Sequence, residues 1–398
     1  MTGSVEDYDV VVAGGGLAGM VAAAGFGSLG LRTLCVDPAG PGGPRGPDLR
    51  STALLQPSRA FLDRIGLWAR LAPLASPLQV MRIVDAGGAA GEARTIRDFD
   101  AQDVGPLPFG WNLPNQVLRR ELTAGLAAAA SVTHRTGVSV SGVLARLTEA
   151  RVTLSDGSRL RTRLVVAADG RNSQVRAGAG IAMRQTRYGQ KALAFAVCHP
   201  VPHQDVSTEV HRTGGPFTLV PLPDQDGSPC SAVVWMERSA EAQRLMDLPE
   251  PAFNDAITER SCSLLGPLRL IGGRSLWPII SQLAERFNGE RVALVAEAAH
   301  VVPPIGAQGL NMSLGDIRDL IDLVAADPDG LGTLAQLDRY NRTRRPAALA
   351  RVLGVDALNR ASMIDTQALR DLRMRGLGLL HDLPVLRRSV MKAGLGAT

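Results

Sequence analysis

The segment from Tyr8 to Asp37 constrains the fold more than any other part of the chain. Residues 8–12 form a short apolar run suited to a buried strand, and Gly14-Gly15-Gly16-Leu17-Ala18-Gly19 follows at once. Gly14, Gly16 and Gly19 occupy the three places of G-x-G-x-x-G. The first glycine permits a tight turn, the second lets backbone approach a pyrophosphate, and the third lets the helix pack closely on the strand. The helix is expected to reach Leu29, with Gly30 as its cap. A second strand over residues 31–36 ends at Asp37. An acid about 20 residues beyond the motif is where a ribose hydroxyl partner belongs. Strand, glycine turn, helix, strand and acid in this order define a dinucleotide-binding βαβ unit, and a glycine-rich turn with no ligand does not need the acid.

Residues 288–316, NGERVALVAEAAHVVPPIGAQGLNMSLGD, form a second distinctive stretch. Residues 292–296 read as a buried strand, and Glu297 stands at its end. Pro303 and Pro304 stiffen the chain and stop any helix beginning at Ala298. Gly306, Gln308 and Gly309 then open a helix from about Leu310. Free amides at a helix start, with the helix dipole behind them, favour negative charge. A third stretch, LVVAADGRNSQVR over residues 164–176, runs a buried strand into Asp169-Gly170. An acid at a strand's carboxyl end beside the first glycine loop is well placed for a ligand in a doubly wound sheet.

The remaining pieces set the architecture. Residues 38–50 are a Gly/Pro-rich loop closed by Arg50, a cation returning toward the nucleotide fold, with phosphate or flavin contact and a plain surface charge both open. Helices are expected over 57–65 and 115–130, the second carrying Arg119 and Arg120 in its first turns. Strands are expected over 79–86, turned by Gly87-Gly88, and over 109–113. Residues 138–144 and 151–154 read as a hairpin pair, with Ser155-Asp156-Gly157 as a turn. Short strands over 192–198, 206–211, 217–221 and 232–237 read as an inserted antiparallel sheet. Residues 240–265 are helical with a break at Pro249-Glu250-Pro251, and residues 275–281 return to the first domain. Helices over 334–345, 347–364 and 366–381 close the chain.

The expected fold class is α/β: a Rossmann-like dinucleotide-binding domain, an inserted antiparallel β-sheet substrate domain and C-terminal helices. The cofactor domain is discontinuous, over 1–75, 112–182 and 275–345; the substrate domain takes 76–111 and 183–274, and residues 346–398 form a C-terminal helical segment.

Composition excludes several classes. Hydrophobic content of 45% and charged content of 20% describe a globular chain. No apolar run reaches the roughly 18 residues of a membrane span, and MTGSVEDYDV lacks the basic and apolar regions of a signal peptide. A net charge of +5, with lysine only at positions 191 and 392 and no basic block interleaved with aromatics, disfavours nucleic acid. Cys35, Cys198, Cys230 and Cys262 form no C-x-x-C and no zinc spacing with the histidines, so no metal is expected and the cysteines read as reduced thiols of a cytoplasmic protein. Only His300 among the six histidines lies inside a motif, and no Ser-His-Asp or Cys-His arrangement follows from spacing.

GGGLAG, LVVAADGRNSQVR and RVALVAEAAHVVPPIGAQGLN, in this order, resemble the single-component FAD-dependent aromatic hydroxylases, which look like para-hydroxybenzoate hydroxylase in architecture. Within that group RSTALLQPS, MRIVDA, PPIGAQGLN and RGLGLLHDLPVLRRSVMKAGLG resemble the UbiH/UbiF-type ubiquinone-biosynthesis hydroxylases. The resemblance implies FAD in the first fold, with Gly14, Gly16, Leu17, Ala18 and Gly19 at its pyrophosphate and Asp37 at its adenosine ribose. It places Arg50 near the flavin or pyrophosphate and Val140 at the adenine through its backbone, and Arg119 joins the cofactor-binding candidates. Asp169 belongs to the family's Asp-Gly motif, linked to FAD and the nicotinamide. Glu297 falls where the family usually has Asp, after a glycine that is here Ala296; the added methylene shifts the contact. Asn115 stands where many relatives carry Arg. Gly306, Gln308, Gly309, Leu310 and Asn311 would lie along the flavin, with Pro303 also beside it, and no catalytic side chain is implied.

The chemistry implied is reduction of FAD by NAD(P)H, addition of O2 to give a flavin hydroperoxide, and transfer of OH to an electron-rich ring. The expected substrate is a polyprenyl phenol. The C-terminal cations Arg370, Arg373, Arg375, Arg387, Arg388 and Lys392, set among apolar residues, suit contact with the inner face of an anionic membrane or with a complex of the ubiquinone (Ubi) proteins; a solvated basic helix packed on its own domain fits the same residues. Two alternatives stand beside this reading: a hydroxylase of a small soluble aromatic or secondary metabolite, and a non-catalytic FAD-binding scaffold. A flavin halogenase would need W-x-W-x-I-P, whereas Trp68, Trp111, Trp235 and Trp277 stand apart.

Overall fold

The computed structural model describes residues 6–40, 48–86, 92–212, 214–363 and 381–395. Its first sheet is built on five parallel strands in the order β18-β11-β1-β2-β8: β18 (Val292–Leu294), β11 (Arg159–Ala167), β1 (Glu6–Ala13), β2 (Thr33–Asp37) and β8 (Val132–Thr136). These strands do not alternate in polarity. Val10, Val11, Val12, Leu34, Val36, Val165 and Val166 are all fully buried, because helices cover both faces. Helices α1 (Leu17–Ser28), α4 (Asn115–Ala128) and α8 (Gln308–Ala326) do much of that covering.

At one edge β17 (Asn288–Gly289) pairs antiparallel with β18, and β10 (Ala150–Leu154) pairs with β11 and with β9 (Val140–Ala145). The turn at Ser155–Gly157 therefore joins β10 to β11 rather than β9 to β10. A small sheet of β3 (Ser51–Leu55), β7 (Gly110–Pro114) and β4 (Ser76–Leu78), with α2 (Gln56–Arg64) and α3 (Trp68–Leu71), lies beside the first domain.

The second sheet has the order β19-β16-β12-β15-β14-β13-β5-β6. Its strands are β19 (His300–Val301), β16 (Arg269–Ala284), β12 (Met183–Cys198), β15 (Ser228–Arg238), β14 (Pro216–Gln225), β13 (Val206–His211), β5 (Val80–Asp85) and β6 (Thr95–Asp100). Here successive residues serve two apolar clusters, one on each face. Leu193, Phe195, Phe217, Val233 and Trp235 pack under α6 (Ser239–Asp247) and α7 (Glu250–Arg260). The opposite face carries Ala192, Val234, Met236 and Ile279, which meet Val302, Ile305 and Val355.

Several expectations change. Segment 275–281 does not leave the insertion: it is the second half of β16, paired along β12 as far as Met183↔Ala284. The sheet is not wholly antiparallel, because β5 enters from far upstream and pairs parallel with β13. Helices expected on either side of Pro346 are one helix, α9 (Leu334–Ser362). Burial of Leu337, Tyr340, Ala348, Val352 and Val355 along it outweighs the roughly 3 kcal/mol local cost of an internal proline. Cys198 and Cys230, distant in sequence, are register partners with sulfurs 2.9 Å apart. The helix expected over 366–381 and the Gly87-Gly88 turn lie outside the described residues, apart from His381. The chain's last described element, α10 (Pro384–Leu395), buries Met391 against Phe99 and Phe109.

Candidate cofactor site

Four turns meet at the carboxyl ends of the parallel strands, where an open α/β sheet presents its crevice. The first is the glycine turn after β1. Gly14 has φ of +102°, its N–H donates to Val36 O at 2.9 Å, and a Cβ there would stand 2.4 Å from Ala168 O. A Cβ on Gly19 would lie 1.8 Å from Gly14 O, whereas one on Gly16 meets nothing within 4 Å. The turn is thus packed shut below and open above, beside Leu17 and Ala18 at the start of α1. Asp37 follows at the end of β2, capping Ala39 N at 2.9 Å. Arg119 reaches across from α4, donating to Gly15 O at 3.3 Å with Asp37 Oδ2 at 3.9 Å. Val140, buried, begins β9.

The Asp-Gly turn follows β11. Asp169 Oδ2 accepts the N–H of Val175, and its Oδ1 is buried with no partner among the described residues. Arg176, on the short helix α5 (Gln174–Gly178), donates to Arg171 O and Ala298 O, both at 3.0 Å, so it ties this turn to the one after β18. Burial lowers the Arg176 pKa and Asp169 opposes that.

The turn after β18 holds Glu297, exposed between the buried Ala296 and Ala298. Beneath it lies a charged cluster that spacing did not reveal. Asp316 of α8, fully buried, receives His300 Nε2 at 2.6 Å and Ala296 N at 3.2 Å on Oδ2. Arg344 of α9 donates to Oδ1 at 2.9 and 3.1 Å, and to Asp319 at 3.0 Å. Burial works against the charge of Asp316, but His300 and Arg344 prevail and hold its pKa below the ordinary value. Tyr340, one turn earlier on α9, donates to Leu294 O at 2.8 Å. His300 and Asp316 both lie in the stretch singled out from the sequence; an acid on the apolar face of the helix that follows was the available signal for Asp316.

The fourth turn opens α8, two residues earlier than expected. Gly306 and Ala307 are both left-handed, with φ of +62° and +54°. Gln308 donates to Gly306 O at 2.8 Å and to Gly394 O of α10 at 3.4 Å. Asn311 accepts Leu55 N at 2.9 Å and donates to Ala53 O at 2.7 Å, locking β3 to the helix start. The first-turn amides of Gly309 and Leu310 therefore stand in a fixed place, while Pro303 O upstream accepts Ile305 N at 2.8 Å.

Arg50 donates from Nε and Nη2 to the two carboxylate oxygens of Asp48, 2.8 Å each, and stacks on Trp277 at 4.7 Å. The hydrogen bond to Asp48 chiefly raises its pKa; burial opposes this, and Glu297 adds to it. Asn115 is engaged inside the protein, with Thr52 and Asp48, rather than free for a phosphate. A separate cavity beside β9, α5 and the start of α9 contains none of these residues.

The residues fit FAD. The glycine turn has no space below and open space above, the orphaned Asp169 Oδ1 awaits a donor, and an acid and a helix start stand opposite. A parallel sheet whose crevice holds these four turns, with a second sheet facing it, defines the class of FAD-dependent flavoprotein monooxygenases. The family model described as FAD binding domain matches residues 7–353, and the chain belongs to that family, among its UbiH/UbiF-type hydroxylases. Ubiquinone hydroxylase UbiL of Rhodospirillum rubrum is 33% identical over 402 aligned positions, covering 100% of this chain and 91% of that protein. The 3-demethoxyubiquinol 3-hydroxylase of Escherichia coli is 26% identical, covering 98% of this chain and 99% of its own. Among solved structures, p-nitrophenol 4-monooxygenase PnpA of Pseudomonas putida superposes with a TM-score of 0.81 at 21% identity, covering 98% and 99% of the two chains.

Proposed function

We propose that this enzyme hydroxylates the aromatic ring of a polyprenyl phenol in ubiquinone biosynthesis, with NAD(P)H and O2 as co-substrates. The observation that carries the reading is full-length similarity to proteins named for hydroxylating ubiquinone precursors, in Rhodospirillum rubrum and Escherichia coli. When bound, FAD supplies the electron storage and oxygen transfer. The chain's own residues bind and orient it: Gly14, Gly16 and Gly19 at the pyrophosphate, Asp37 and Arg119 at the adenosine end, Asp169, Glu297 and Arg50 along the middle. The amides at Gln308–Leu310 stabilise negative charge on the reduced ring through the dipole of a 19-residue helix. The facing sheet supplies an apolar floor with small side chains at Ala192 and Ala194, suited to an aromatic ring and able to exclude water.

The division of labour is part of this proposal: residues 1–75, 112–182 and 285–345 for the cofactor, 76–111 and 183–284 for the substrate, with β16 counted in the second sheet. So is contact with a membrane surface or a Ubi complex at the inner face. No described helix is long and apolar enough to cross a membrane. Near the end of the chain Leu383, Val385, Leu386 and Val390 remain exposed beside Arg388 and Lys392, a composition compatible with a peripheral contact. Arg387 is occupied with Asp103 at 3.2 Å, and Arg370, Arg373 and Arg375 lie outside the described residues. Deleting the gene and weighing cellular quinones by mass spectrometry tests the function. Loss of ubiquinone with accumulation of a prenylated phenol lacking one hydroxyl is expected; an unchanged quinone pool would overturn it.

A further inference from the structure

Ala296 has φ of +56°, a left-handed conformation that its Cβ disfavours. It immediately precedes Glu297, so any relaxation of this residue re-aims the acid that follows. The side chain of alanine can do nothing to hold the turn. The backbone is held from beneath instead, because the Ala296 N–H donates to Asp316 Oδ2. That carboxylate is itself fixed by His300 on one oxygen and Arg344 on the other, and has no exposure to solvent.

We propose that Asp316 is a positioning residue for FAD: through the Ala296 amide it holds a strained, non-glycine turn in the one conformation that presents Glu297 and the neighbouring backbone to the cofactor. Asp316 lies behind the turn and acts only through it. The inference rests on FAD binding at this turn and is independent of which phenol is hydroxylated. If the carboxylate's hold is lost, Ala296 moves toward negative φ in part of the population. Apparent FAD affinity then falls by the fraction of molecules that keep the competent turn. A glycine at 296 would adopt the same conformation without help, so it should remove much of the dependence on Asp316.

Four holoproteins test this: wild type, Asp316→Asn, Ala296→Gly and the double variant. FAD retention is read on dilution, from the fluorescence of released flavin. Asp316→Asn should weaken retention about 10- to 100-fold, and by only a few-fold in the glycine background. Leu320→Ala, a cavity on the same helix away from the turn, serves as the control. It should lower the melting temperature while leaving FAD affinity within about 2-fold of wild type. An equal loss for Asp316→Asn in both backgrounds would overturn the proposal, as would FAD loss in Leu320→Ala matching its melting loss. Should Asp316→Asn not accumulate folded, His300→Gln replaces it. That change keeps the carboxylate and Arg344 in place, and a several-fold FAD loss relieved by Ala296→Gly is expected; no relief would overturn the proposal.

Discussion

The turns after β1 and after β18 do the same job by opposite means. Both bend the chain sharply at the end of a buried parallel strand and face the same crevice. The first solves its sterics by omission: Gly14 takes positive φ freely, and Gly19 lets the helix close on the strand. The second places an alanine at positive φ and depends on a charged cluster drawn from two later helices. Omission is local and cheap. Support from below is remote, and it makes the shape of the turn answerable to residues that lie behind it.

The difference can be broken at either end. The largest effect on FAD affinity is expected for Gly19→Ala, because its Cβ would stand 1.8 Å from Gly14 O, a backbone atom that cannot give way. Isolation without bound flavin and an FAD affinity reduced by about 100-fold or more, near 3 kcal/mol, is the predicted outcome, read by fluorescence titration. Next comes Arg344→Met, which leaves Asp316 buried beside His300 without its cation. A stability loss of about 3–5 kcal/mol is expected in urea unfolding, and a loss below about 1 kcal/mol would show that the cluster matters less than its burial suggests.

Acid sharpens the comparison without a mutation. The folded pKa of Asp316 is depressed below the ordinary 3.8, so its stabilisation is complete above that value and lost as pH falls through the lower, folded one. Stability measured from about pH 5 downward should therefore decline, and Asp316→Asn should flatten that limb. The glycine turn contributes no such slope. Smallest is Tyr340→Phe, which removes the hydroxyl that donates to Leu294 O and should cost about 1 kcal/mol in thermal unfolding, with FAD affinity little changed.

What could be read from the sequence divides along the same line. Gly14, Gly16, Gly19, Asp37, Asp169, Glu297 and the Gly306–Asn311 segment carry their meaning in short spacings beside apolar runs, and all lie at the expected strand or helix ends. Asp316, Arg176 and Arg344 gain theirs only when segments far apart in the chain pack together, so their partners cannot be read from short spacing. Asp48 and Trp277 were equally silent, because they hold Arg50 together only in the fold, Asp48 from the loop before β3 and Trp277 from β16 of the second sheet. Pro346 misled for the converse reason: a strong local signal for a break was overruled by packing along the whole of α9.

The way the second sheet is inserted bears on how the molecule reaches its native state. Strands β11 and β18 pair at Val165↔Val292 to Ala167↔Leu294, so the cofactor crevice needs two segments separated by the entire insertion. Left unfolded, that insertion would be a long loop whose ends must meet at an entropic cost. Its first and last strands, however, run side by side, and Glu285 N donates to Ala182 O at 3.0 Å where they emerge. Once the insertion has formed, it delivers its own ends together, and a distant encounter becomes a short closure. Closure of the first sheet at β11 and β18 should then trail the formation of the second, so the order of folding runs from the insertion to the sheet that frames it.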